Sequence, residues 1–128
     1  MSQPTAVDRF LAAVRDATID SCDAWAPDAT LDATVPEWRF HKRGADEIRA
    51  TYRGWFADPG RLEQLRRHPI EGGEVVEYLL TWTEAGVPHA GHHVHLLDVV
   101  DDRIVRDVVM CGGRWPASLL AEMEAADA

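Results

Sequence analysis

At 128 residues and 46% apolar composition, the chain is long enough to bury the core of one domain without help from disulfides or metal. Thirteen basic against twenty-two acidic residues give a formal charge of −9, which repels phosphate backbones and anionic bilayers, so neither nucleic acid nor membrane is an expected partner. Cys22 and Cys111 lack zinc-motif spacing and are too few for a disulfide framework, and no apolar run approaches the roughly 20 residues of a membrane span; the expectation is a reduced, cytoplasmic protein, one domain over residues 1–128.

Taken in chain order, the first segment sets Val7, Phe10, Leu11 and Val14 at i, i+3, i+4 and i+7, the apolar stripe of a helix. The run WAPDATLDATV breaks that helix at Pro27 and predicts a short strand from about Thr30 to Val35, with WRFHKR an extended partner after Pro36. A second helical signature, GADEIRATYRGWFADPG, brings Ile48, Tyr52, Trp55 and Phe56 to one side and stops at DPG. The period then changes. RLEQLRRHPI, EVVEYLLTWTE, HAGHHVHLLDVV and RIVRDVVMCGG are four β-rich runs separated by EGG, AGVP and DD, the turn chemistry of an antiparallel meander. WPASLLAEMEAADA closes the chain as a short helix with Pro116 near its start. Helices first and strands afterwards predict an α+β domain, a curved antiparallel sheet with the helices on one face.

Alternation sorts the strand residues. Val76, Tyr78, Leu80 and Trp82 share one face of their run, and His93, His95, Leu97 and Val99 share one face of the next. In the last run Val105, Asp107, Val109 and Cys111 oppose Ile104, Arg106, Val108 and Met110. Neither face is cleanly polar, so periodicity alone leaves open which side looks inward.

The order of helix, short strands, aromatic helix and four-run meander, with WAPDATLDATV, RGADEIRATYRGWF and DDRIV at the joints, resembles the SnoaL-like branch of the nuclear transport factor 2-like superfamily over nearly the whole chain. The resemblance implies a cystatin-like cone, a bent sheet wrapped around helices with an internal pocket, in a family that often dimerises through its sheet and works without metal or cofactor. It assigns Val105, Asp107, Val109, Tyr78, Leu80, Trp82, His93 and His95 to the inner face. SnoaL-like polyketide cyclases pair an inward histidine with an inward aspartate on the next strand, and His93 with Asp107 resembles that pair. The Arg and two Asp of limonene epoxide hydrolases are replaced at the matching positions by Val76, Tyr78 and Val109. The tyrosine and aspartate of ketosteroid isomerases are replaced by Phe10 and Ala33.

Two readings of the inward polar residues follow. A carboxylate among valines beside an imidazole can pass a proton to and from a carbon acid, which makes Asp107, His93 and His95 candidates for metal-free acid/base catalysis. The same residues can equally form a satisfied polar network bracing the wall. His93, His95 and Asp107, with Cys111, are also zinc-ligand types, but same-face neighbours on a strand sit about 7 Å apart, and no metal is expected. Tyr78, Trp82, Trp25, Tyr52, Trp55 and Val109 are candidates to line a pocket for a small, largely apolar molecule, against the alternative that they are simply core. The expected function is therefore binding of such a molecule with isomerase- or cyclase-type chemistry, the alternative being a non-catalytic binding or assembly module. Leu79, Val94, Leu96, Ile104, Val108 and Met110 on the outer face predict a homodimer through the sheet.

Overall fold

The computed structural model describes residues 3–128. Helix α1 (Ala6–Asp16) opens with a capping box: the Asp8 backbone N–H donates to Thr5 Oγ1 at 3.1 Å, and the Thr5 N–H donates to Asp8 Oδ2 at 2.8 Å. The helix buries Val7, Phe10, Leu11 and Val14, as their spacing requires. Burial of Phe10 alone is worth roughly 2 kcal/mol. It stops well before Pro27, where Ala17 turns left-handed (φ 57°) and a single 3-10 turn, Ile19–Ser21, follows.

Strand β1 (Trp25–Val35) starts earlier than the proline suggested. Pro27 falls in the register shift between Trp25 and Thr30 on the strand's pairing with its neighbour, where no ladder N–H is needed. Then come β2 (Trp38–Arg43), α2 (Ala45–Trp55), β3 (Gly60–Leu62), β4 (Arg66–Ile70), β5 (Gly73–Glu84), β6 (Val87–Val100), β7 (Arg103–Pro116) and α3 (Ala117–Ala126). RLEQLRRHPI is thus two short strands rather than one long one. Both pair with β5, and between them the Glu63 N–H donates to the Leu79 carbonyl at 2.8 Å, holding the bend.

The sheet runs β2-β1-β7-β6-β5-β3, with β4 also on β5. The meander is antiparallel as expected, but β1 joins β7 in parallel, so the sheet as a whole is mixed. The β6–β7 turn needs positive φ at Asp101 (50°) and Asp102 (57°), the backbone of a two-residue hairpin. Asp102 also ties this turn to α1 by accepting from the Ala6 N–H at 2.8 Å and from Arg9 Nη1 at 2.9 Å.

A bulge after that turn corrects one facing assignment. Asp98 pairs with Arg106 and Val99 with Ile104, leaving Val105 as the extra residue. Ile104 therefore turns inward and is fully buried, whereas Val105 is only half-buried. From Asp107 onward the alternation returns to the expected phase. Among the described residues no helix is long and apolar enough to cross a membrane.

Candidate functional site

Cross-strand register stacks the inner residues in rows running up the concave face. Asp107 pairs with Leu97; His95 sits between Val76 and Val109; His93 sits between Tyr78 and Cys111. The next row holds Leu80, Gly91 and Arg114, and the last Trp82 with His89. The lower rows are sealed and the upper rows open, and this divides the candidate residues into two groups.

The sealed group is a hydrogen-bonded chain of four fully buried side chains, Tyr52, Asp107, His95 and Tyr78. Tyr52 Oη on α2 donates to Asp107 Oδ2 at 2.7 Å, His95 Nδ1 meets Asp107 Oδ1 at 2.9 Å, and Tyr78 Oη meets His95 Nε2 at 2.9 Å. Burial, followed by the charge of Asp107, pushes both tyrosine hydroxyls well above their usual range, so each remains a proton donor. With Tyr78 donating to Nε2, the consistent tautomer of His95 has its N–H on Nδ1 and donates it to Asp107. Phe10 closes over the imidazole edge-on, with ring centroids 5.0 Å apart. Every side-chain hydrogen-bonding atom in this group has a partner.

The open group lines a cavity of about 350 Å³. Val35, Pro36, Trp55, Leu80 and Trp82 form its apolar walls, and His93, Cys111 and Arg114 are its polar or polarisable contributors. Gly91 keeps the space open, since a Cβ there would lie 3.3 Å from His93 Cε1 and 3.5 Å from Trp82 Cη2. His93 is 4% exposed, stacks on Tyr78 at 5.2 Å, and leaves its Nδ1 without a hydrogen-bond partner among the described residues. Burial, reinforced by neighbouring His95, lowers its pKa to about 3, so the imidazole is neutral at physiological pH. Burial likewise raises the Cys111 thiol above its ordinary range, which keeps it a thiol rather than a thiolate.

Of the residues expected to share one cavity, Trp55, Trp82 and His93 line it. Tyr78 shares the row of His93 but is fully buried beneath that imidazole, His95, Val109 and Asp107 lie one or more rows deeper, Tyr52 is on α2, and Trp25 packs edge-on to Phe10 in the core, its buried Nε1 unpaired among the described residues. An imidazole nitrogen does lie within hydrogen-bond reach of Asp107, and it belongs to His95. Among the described residues no group of three or more His, Cys, Asp or Glu side chains is arranged to hold a metal ion.

Arg114 was not foreseen. Simple alternation from Cys111 directs Gly113 inward and Arg114 outward. The strand instead shifts register between His93–Cys111 and Gly91–Arg114, with Gly113 at φ 110°, and the shift returns Arg114 to the cavity face. The Gly-Gly pair inside a strand was the available signal.

No family model matches the chain, and no curated protein matches it. Solved structures do. An NTF2-like protein from Anabaena variabilis is 16% identical over 84% of each chain with a TM-score of 0.69. A protein of ketosteroid isomerase-like fold from Catenulispora acidiphila, solved in complex with trimethylamine, is 16% identical over 84% of this chain and 85% of that one, TM-score 0.64. An LEH-like epoxide hydrolase of M. tuberculosis is 17% identical over 83% of this chain and 79% of that one, TM-score 0.63. At these identities the likeness is one of architecture, and the architecture is plain: the chain has the NTF2-like α+β fold.

Proposed function

We propose that the protein binds a small, largely apolar molecule in the cone cavity, with one polar group of that molecule meeting the imidazole of His93. The observation that carries this reading is a nearly buried histidine, its Nδ1 without a partner among the described residues, on the wall of a largely apolar cavity. A buried polar atom without a partner costs about 1–3 kcal/mol, and a bound ligand or water that pairs with it recovers much of that. A volume of about 350 Å³ lies at the lower end of the range that small-molecule sites occupy.

Binding without turnover is the better supported form of the reading. Asp107 and His95, the pair suited to proton transfer, are fully buried and satisfied by Tyr52 and Tyr78. His93, the imidazole that a ligand can reach, is too weak a base at neutral pH to take a proton from carbon. Isomerase- or cyclase-type acid/base chemistry stands second. Its support is the continuous chain Asp107–His95–Tyr78, along which a proton could pass to a ligand that displaced His93 and reached the Tyr78 hydroxyl. We further read the protein as cytoplasmic, with its two thiols free, and as a homodimer through the outer sheet face.

Titration calorimetry with naphthalene and 2-naphthamide tests the main reading. Both should bind, the amide more tightly by about tenfold, equivalent to one neutral hydrogen bond, and His93→Phe should erase the difference. Absence of binding by either compound up to its solubility limit overturns it. Conversion of a carbonyl substrate that Asp107→Asn abolishes would promote the second reading over the first.

A further inference from the structure

We infer that the ligand of this cavity is an apolar acid, its body inside and its carboxylate at the rim on Arg114. The inference deepens the binding proposal and rests on it. Among the described residues Arg114 is the one charged side chain on the cavity wall, and it stands two rows nearer the mouth than His95, beside Gly91 and below Trp82. Its guanidinium carbon lies 5.1 Å from the centre of the Trp82 ring, which braces a planar cation and fixes where its donors stand.

The Arg114 side chain is 45% exposed, so the donors its guanidinium does not use within the chain face solvent and are free to take a ligand. Among the described residues its hydrogen-bond acceptor is a single oxygen of Glu84, reached from Nη2. A guanidinium carries five N–H donors in a rigid fork whose geometry matches a carboxylate in a two-bond arrangement. Glu84 does not line the cavity; it is about two-fifths exposed and also lies 3.5 Å from Trp82 Nε1, so it orients the arginine from outside. The remaining donors belong to a side chain that does line the cavity.

The next row down selects in the other direction. His93 is neutral and surrounded by the rings of Trp55, Phe56 and Tyr78, with centroids 5.9, 5.6 and 5.2 Å away, so a second anionic group there would be desolvated without a countercharge. Neutral floor and cationic rim together describe a monocarboxylate whose flat, largely apolar body carries the neutral polar group that meets His93. A dicarboxylate or a phosphate ester with a polar body does not fit that pattern.

The test compares 2-naphthoate with 2-naphthamide, which have the same shape and differ by one charge, by titration calorimetry near neutral pH. The acid should bind about tenfold more tightly than the amide, and the advantage should shrink with added salt. Arg114→Gln should lower naphthoate affinity by about tenfold while leaving the amide within about twofold, and Glu84→Gln, which removes the competing negative charge, should tighten naphthoate. Should the wild-type protein bind the amide and show no preference for the acid, the inference is wrong and the binding proposal survives. Failure of both compounds to bind overturns the binding proposal itself. The wild-type comparison stands even if a variant fails to fold.

Discussion

His95 Nδ1 and Asp107 Oδ1 lie 2.9 Å apart on adjacent antiparallel strands, and neither side chain has any exposed surface. Tyr52 from α2 occupies the second oxygen of Asp107 at 2.7 Å, so the carboxylate joins helix to sheet at the centre of the core. Asp107→Asn keeps the shape but replaces one acceptor by an amide donor, leaving either the Tyr52 hydroxyl or His95 Nδ1 without a partner. Stability should fall by about 2 kcal/mol, and Tyr52→Phe should cost about 1 kcal/mol. The double variant should cost less than the sum, because Tyr52→Phe removes one of the two donors that compete for the single remaining acceptor. Urea denaturation measures all three, and strict additivity would show that the hydrogen bond contributes nothing.

The unpaired imidazole sets a pH dependence. His93 has a folded pKa of about 3 against an ordinary value of 6.5. Between those values the unfolded chain binds a proton that the folded chain does not, so stability is complete above pH 6.5 and declines as pH falls toward 3. From about pH 7 to about pH 5, where carboxylates contribute little, the wild type should lose about 2 kcal/mol more than His93→Phe. Equal losses in the two proteins would mean that His93 is not desolvated.

How much of this was visible in the sequence depends on whether a feature is local. The 3.6-residue spacing of Val7, Phe10, Leu11 and Val14 and the period-two alternation through Tyr78, His93, His95 and Asp107 are local, and they foretold the α+β layers and which residues of each strand share a face, while the inward direction of that face came from the family resemblance. Bulges are not. Val105 beside Asp98–Val99 and the Gly112–Gly113 step each insert a residue, and these insertions turned Ile104 and Arg114 inward against the alternation. Depth along the cone was also hidden. Alternation assigns Asp107 and His93 to one face, but only the cross-strand register and the arrival of Tyr52 from α2 bury the first and leave the second at the cavity.

The outer sheet face carries the proposed dimer. Leu96 is 36% and Met110 52% exposed at its centre, with Val94 and Val108 half-buried beside them. The polar groups around this strip have partners within the chain, Arg106 with Asp98 at 3.9 Å and His92 hydrogen-bonded to Glu77 at 2.9 Å, so association would not strand them. Sedimentation at micromolar concentration should give twice the chain mass of 14.3 kDa, and Leu96→Glu or Met110→Glu should return it to the monomer value. A wild-type protein that sediments as a monomer ends this reading.

The last expectation uses Cys111 as an internal reporter of the cavity. It stands across from His93 on the neighbouring strand and lines the cavity wall, whereas Cys22 is buried against α1 and contacts the Arg9 carbonyl. Burial raises both thiols, so alkylation should be slow near neutrality and accelerate as pH rises toward and beyond the ordinary thiol value of 9.0. N-ethylmaleimide, small and uncharged, should modify Cys111 well before Cys22, and peptide mass spectrometry reads the two sites separately. Saturation with 2-naphthamide should then slow modification of Cys111 several-fold, because the reagent and the ligand need the same space. Calorimetric binding of the amide with no change in the Cys111 rate would place the ligand elsewhere on the protein and remove His93 and Arg114 from its recognition.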